Sequence, residues 1–229
     1  MLRLAYSAEA ASAAALRPAG PGPGHGGLSA AEAGAIVAGV LARDAEASRT
    51  LWCEFAPLVR RLLRRSLGPG HEIDDATQDV FCRLVRSLGG LRDPGALRSF
   101  VIGVALRVAG AELRKRHALR WFRLTPSGDV PELPNPAADH EMRAAVSRFY
   151  ALLDRVGTDD RHCFVLRHLE ELELADVAAA LDISLATVKR RLQRVEARVA
   201  AMADADPILS EFLREHAPRW STSLAKRVP

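Results

Sequence analysis

The sequence predicts an all-α protein: two small helical domains joined by a proline-rich linker, the second a helix-turn-helix domain. Three observations carry this. Aromatic residues make up only 5% of a chain rich in alanine, leucine and arginine, a composition that suits helices and lacks the aromatic and β-branched side chains a sheet sandwich needs. Apolar residues recur at helical spacing on both sides of one gap. In that gap, between His117 and Asp139, Pro126, Pro131, Pro134 and Pro136 forbid a helix longer than a turn or two and favour extended backbone. With 229 residues, 48% of them apolar, each domain can bury a core, which excludes disorder throughout.

Residues 1–28 read as a flexible lead-in. The stretch RPAGPGPGHGG has no apolar periodicity to offset its ordering entropy, and the opening apolar run, broken by Glu9, is too short for a secretory signal. Ser29-Ala30-Ala31-Glu32 is a capping box, so a first helix begins there with Ile36, Val37, Val40 and Leu41 on one face. A second carries Leu51, Trp52, Phe55, Leu58, Val59, Leu62 and Leu63, places Arg60, Arg61, Arg64 and Arg65 on its opposite face, and stops at Gly68-Pro69-Gly70. A third runs from about Glu72 to Leu88 with Ile73, Val80, Phe81, Leu84, Val85 and Leu88 on one side. Gly89-Gly90 and Asp93-Pro94-Gly95 bracket a loop. The fourth helix, carrying Leu97, Phe100, Val101, Val104, Leu106, Val108 and Leu113, ends in Arg114-Lys115-Arg116, which puts the first domain at 29–116 and the linker at 117–139.

Periodicity resumes with Met142, Val146, Phe149, Leu152, Leu153 and Val156, breaks at Gly157, and continues through Cys163, Phe164, Leu166 and Leu169. Leu172 to Leu181, the turn Asp182-Ile183-Ser184, and Leu185 to about Met202 are two helices joined by three residues, the spacing of a helix-turn-helix, so the second domain is 140–205. The tail, 206–229, holds one apolar patch (Ile208, Leu209, Phe212, Leu213 and Trp220), read as packing against the last domain.

A formal charge of +4 and a pI near 9.3 decide little until the charges are placed. In the last helix Leu185, Val188, Leu192, Val195 and Val199 form one stripe, which gathers Lys189, Arg190, Gln193 and Arg194 on the other side with Arg191 and Arg198 flanking. Between Asp154 and Asp182, by contrast, eight acids face three arginines. A solvated face would mix signs at i and i+4, so this segregation points to DNA. Ser184 is placed to cap the helix, Thr187 and the first amides then face phosphate or base edges, and Lys189, Arg190 and Gln193 are long enough to read the major groove.

The third helix carries Asp74, Asp75 and Asp79 with Gln78 on its exposed face. Part of this complements the helix dipole. No histidine or fourth ligand sits at coordinating spacing and no nucleophile is near, so the face suits docking of a basic partner rather than metal or acid–base chemistry. The fourth helix combines Arg98, Arg107, Arg114, Lys115 and Arg116, followed by Arg120, Trp121, Phe122 and Arg123, a mixture that suits phosphate contact plus stacking on an exposed base. Cys53, Cys82 and Cys163 form no zinc or disulfide framework, and a reducing cytoplasm is the expected home. With no Ser-His-Asp set, metal cluster or glycine-rich phosphate loop, neither an enzyme nor a cofactor is expected. No apolar run approaches the roughly 18 to 20 residues of a membrane span.

Two motifs resemble the extracytoplasmic-function type of bacterial RNA polymerase sigma factor, over about 33–202. EIDDATQDVFCRLV, residues 72–85, is similar to the family's second-region helix through Asp74, Asp75, Gln78, Asp79, Val80 and Phe81. Residues 165–199 are similar to its fourth region, with Ile183, Ser184, Thr187, Val188, Lys189, Arg191 and Leu192 at the core positions. The resemblance implies a non-catalytic specificity subunit whose partners are core RNA polymerase and promoter DNA, with an anti-sigma factor as a further partner. It implies that Asp75, Gln78 and Asp79 dock on the clamp helices of the largest polymerase subunit. It places Arg107, Arg114, Lys115 and Arg116 along the minus-10 element, Arg92 and Asp93 in a loop that holds a flipped-out base, and Thr187, Lys189, Arg190, Arg191, Gln193 and Arg194 at the minus-35 element. The chain departs from the family at Phe100, usually Trp, and at Gly103, usually basic or polar. The competing reading is a conventional helix-turn-helix regulator that binds DNA without polymerase, against which the acidic face and the lack of a receiver or ligand-pocket domain argue.

Overall fold

The structure, a computed structural model, describes residues 28–69, 72–122 and 140–216. The lead-in 1–27, the proline-rich stretch 123–139 and the end of the tail, 217–229 with Trp220, lie outside the described residues, as do the side chains of 119–122, of 140–142 with Met142, of Phe212 and of 215–216. Among the described residues there is no strand.

The first unit consists of α1 (Ala30–Leu41), α2 (Ala45–Leu67), α3 (Ile73–Ser87) and α4 (Leu97–Phe122). The capping box is present: Ser29 Oγ accepts from the Glu32 amide while the Glu32 carboxylate accepts from the Ser29 amide at 2.8 Å. Asp44 caps α2 by accepting from the Glu46 amide at 3.0 Å. That helix stops at Gly68, whose φ of 88° and ψ of −173° fall in a region only glycine occupies without strain. Two 3₁₀ turns, Leu88–Gly90 and Pro94–Ala96, shape the loop before α4, the second begun by Asp93 accepting from the Gly95 amide at 2.9 Å. Leu51, Val59, Leu62, Leu63, Val80, Leu84, Val101 and Leu106 lie buried in the core these helices enclose.

The sequence placed the end of α4 at Arg116, yet the helix continues to Phe122, into the segment read as linker. No proline or glycine falls between 117 and 122, so the backbone ladder meets no obstacle before the approach to Pro126.

The second unit runs α5 (His140–Leu153), α6 (Thr158–Phe164), a π-helical turn (Val165–Leu169), α7 (Leu174–Leu181), α8 (Leu185–Asp204) and α9 (Pro207–His216). α7 and α8 are the predicted helix-turn-helix. Asp182 makes the turn in the left-handed region at φ 53°, a conformation Asp tolerates better than most residues, and Ser184 Oγ accepts from the Thr187 amide to cap α8. Val177, Val188, Leu192, Val195 and Val199 are buried with Phe149, Leu153 and Phe164.

Part of the tail is itself a helix. α9 packs on α5 and α8 with Leu209 fully buried, and Asp206 starts it by accepting from the Leu209 amide while pairing with Arg148 at 2.8 Å. Leu41, Trp52, Val85 and Leu185, placed on apolar stripes by their spacing, and Ile208, read as part of the packed tail patch, are exposed. Leu41 and Leu185 lie at helix ends, where the stripe runs past its partner surface. No helix among the described residues is long and apolar enough to cross a membrane.

Candidate polymerase and nucleic-acid interfaces

The two units meet at the carboxyl end of α2, whose last carbonyls have no partner within the helix. The second unit supplies partners. Tyr150 donates its hydroxyl to the Arg65 carbonyl at 3.2 Å, and buried Arg161 donates from Nε to the Ser66 carbonyl at 2.8 Å and from Nη2 to the Leu67 carbonyl at 3.4 Å. The remaining Nη1 of Arg161 bonds Asp154 Oδ1 at 2.7 Å. In the opposite direction Arg65 donates to the Leu169 carbonyl and to Glu170 Oε1 at 3.0 Å, while Arg61 bonds Glu170 Oε2 at 3.0 Å. The sequence had left Arg61 and Arg65 on an outward face. The π turn and Glu170 cover that face, leaving Arg65 4% exposed.

A second contact joins α4 to α7. A Cβ at Gly103 would stand 2.7 Å from the Ala180 carbonyl oxygen, so no larger residue fits this contact without parting the two helices. Further along α4, Gly110 faces His162 and Thr158 of α6. His162 Nε2 is buried with no hydrogen-bond partner among the described residues. Burial, then the charge of Arg161, pushes the His162 pKa down to about 4. Burial likewise raises the Tyr150 phenol above its ordinary value, so it remains a hydrogen-bond donor.

On α3 the acids are partly engaged. Asp74 accepts from Arg60 Nε at 3.2 Å, the Arg60 guanidinium lies 5.6 Å from the centroid of Trp52, and Trp52 packs on Phe81 in a tilted contact with centroids 4.4 Å apart. Asp79 binds Arg83, one turn on, at 3.0 Å. Gln78 and Asp75 are exposed, and Asp75 has no ion pair among the described residues. In the loop, Arg92 and Asp93 are exposed, with the Asp93 carboxylate committed to the Gly95 amide. On α4, Arg107, Arg114 and Lys115 project outward, Lys115 with Glu112 3.8 Å away. Arg116 instead turns toward the second unit and stands 4.0 Å from Asp154.

α8 exposes Lys189, Arg190, Gln193 and Arg194, with Thr187 half-buried at its first turn. Arg190 reaches the Thr187 hydroxyl at 3.4 Å. Arg191 bonds Asp159 at 2.9 Å, and Arg194 grips Asp160 through Nε at 2.7 Å and Nη2 at 2.5 Å. Beneath them, His168 of the π turn bonds Glu196 at 2.9 Å and packs its ring on Phe164, which fixes α8 against the rest of the unit. No group of three or more possible metal ligands occurs among the described residues.

Sequence reasoning missed Tyr150, Arg161 and Glu170. The partner of Arg161 Nε is a backbone carbonyl 95 positions away, which no periodicity encodes. The one available signal was an arginine two positions ahead of the apolar run at Cys163 to Leu166.

An all-helical chain with an acid-faced helix and a basic, capped recognition helix in separate units has the architecture of a transcription initiation factor. Residues 51–118 match Sigma-70 region 2 and residues 147–199 match Sigma-70, region 4. The ECF RNA polymerase sigma factor SigE of Mycolicibacterium smegmatis is 29% identical over 143 residues, which span 62% of this chain and 55% of SigE. The ferric citrate uptake sigma factor FecI of Escherichia coli is 31% identical over 132 residues, 56% of this chain and 74% of FecI. The solved structure of CnrH in complex with the cytosolic domain of CnrY shares the fold at a TM-score of 0.52 and 20% identity, covering 75% of this chain and 97% of that one. The chain belongs to the extracytoplasmic-function group of the sigma-70 family.

Proposed function

We propose that this sigma factor acts in the cytoplasm, without catalysis of its own, by binding core RNA polymerase and carrying it to promoters with minus-10 and minus-35 elements. The observation that carries this reading is the placement of two open cationic faces, on α4 and α8, in separate units, with an acidic face on α3 between α2 and α4. Asp75 offers an uncommitted carboxylate, with Gln78 and Asp79 on the same helix, to a basic surface of the polymerase. Arg107, Arg114 and Lys115 hold minus-10 phosphates. The loop with Arg92 and Asp93 sits where a base extruded from the stack would be held, and extrusion costs a few kcal/mol that these contacts offset. Lys189, Arg190 and Gln193 read the minus-35 major groove, with Thr187 beside the capped amides of α8. Arg116 joins the junction between units. The CnrH structure holds the cytosolic domain of CnrY, and an anti-sigma factor acting on these faces is a further partner of this chain.

The test is a pull-down of purified bacterial core polymerase followed by run-off transcription from a promoter library. Co-purification with specific start sites is the expected result. No binding to core, with sequence-specific DNA binding by the chain alone, would transfer the protein to the conventional helix-turn-helix regulators.

A further inference from the structure

We infer that Asp159 and Asp160 serve as internal phosphate surrogates, holding Arg191 and Arg194 away from DNA and so setting how strongly α8 grips the minus-35 element. The inference rests on the assignment of α8 as the recognition helix. α8 carries five basic residues, and they divide into two sets by what they touch. Arg191 and Arg194 lean onto α6, where the acids stand at 2.9 Å and at 2.7 and 2.5 Å. The Arg194–Asp160 contact is a two-point fork, the same geometry an arginine presents to a phosphate. Lys189, Arg190 and Arg198 have no ion pair among the described residues and keep their charges available to DNA.

Each pair joins one exposed side chain to a sheltered one: Arg194 at 64% with Asp160 at 13%, and Asp159 at 69% with Arg191 at 23%. With one member open to solvent, their contribution to folding is modest. Their effect falls on DNA binding, because a cation already neutralised by a carboxylate releases no counterion when it approaches a phosphate. The two aspartates therefore remove two of five charges from the binding count without altering the residues that read bases. They lower non-specific affinity and leave discrimination to Lys189, Arg190 and Gln193.

The experiment uses the full chain reconstituted with core polymerase, on a promoter fragment containing the minus-35 element, with affinity measured against potassium chloride. Asp159→Asn with Asp160→Asn keeps side-chain size and removes the charge. The expected result is a log–log salt slope steeper by about 0.9 for each released arginine, while Arg191→Gln with Arg194→Gln in the native background leaves the slope unchanged. A native slope that falls by about 1.8 in the arginine variant, or an unchanged slope in the aspartate variant, overturns the inference. The single aspartate variants, each adding about half of the increase, keep the test readable if the double variant unfolds. Lys189→Gln separates the two claims: it should lower the slope by about 0.9, and a slope it leaves alone removes the recognition-helix assignment itself.

Discussion

Arg161→Met tests the junction between the units. The arginine is 1% exposed and serves three acceptors, of which the Ser66 carbonyl at 2.8 Å and Asp154 at 2.7 Å are at full strength and the Leu67 carbonyl at 3.4 Å is weak. Methionine fills a similar volume but strands these groups, and removing one partner of a buried ion pair costs about 3–5 kcal/mol. Two effects favour the lower end. Burial depresses the Arg161 pKa below that of a solvated guanidinium, so its own desolvation already offsets part of the gain, and Arg116 remains 4.0 Å from Asp154 to soften the stranded charge. The expected loss is therefore about 3 kcal/mol, which for a chain of this size lowers the melting temperature by about 6–12 °C. Circular dichroism melts and urea titrations read this directly. Adding Asp154→Asn should restore part of the loss by removing the carboxylate that has lost its nearest cation. A loss below about 1 kcal/mol would refute the reasoning that Arg161 is the main cap on α2.

Four further outcomes follow from the structure. The unfolded chain protonates His162 near pH 6.5, whereas the folded chain resists until about pH 4; stability should therefore fall as pH drops through that window, by about 1.4 kcal/mol per unit, and His162→Gln should flatten the dependence in urea titrations. Gly103→Leu puts atoms inside the 2.7 Å approach to the Ala180 carbonyl, so α4 and α7 should part and the radius of gyration by small-angle scattering should rise; an unchanged scattering profile with an unchanged melt would count against the contact. Asp75→Lys, at an exposed position without an ion pair among the described residues, should abolish co-purification with core polymerase while the circular dichroism spectrum stays native, and normal binding would sink the docking face. Lys189→Ala with Arg190→Ala should weaken minus-35-dependent transcription, each lost bidentate base contact being worth about 1–3 kcal/mol, and unchanged promoter affinity would contradict the α8 assignment.

Much of the fold was legible in the sequence because it rests on local signals. The capping box at Ser29, the Ser184 cap and the break at Gly68 each depend on residues within a few positions, and all three stand where the pattern put them. Apolar spacing found the core of both units. It erred at Leu41, Val85 and Leu185, among others, since spacing reports which face is apolar and not how far the partner surface extends. It also ended α4 too early, because basic residues near a helix end are favourable without obliging the helix to stop. Within the candidate interfaces, the faces were readable and the commitments of single side chains were not. Arg65 and Arg107 look alike in a helical pattern, yet one is buried under Glu170 and the other faces solvent. Arg191 and Arg194 read as free cations until Asp159 and Asp160 are seen across from them.

The π-helical turn at Val165–Leu169 holds one residue more per turn than an α-helix, with the Glu170 amide bonded to the Val165 carbonyl five positions back. It works as a phase setter for everything downstream. Deleting one residue from it would restore ordinary helical winding and rotate the following chain by about 100° about the helix axis. Glu170 would then swing off Arg61 and Arg65, and the helix-turn-helix would meet the first unit on a different side. A single inserted residue thus fixes the angle at which one half of the molecule presents its recognition helix relative to the other.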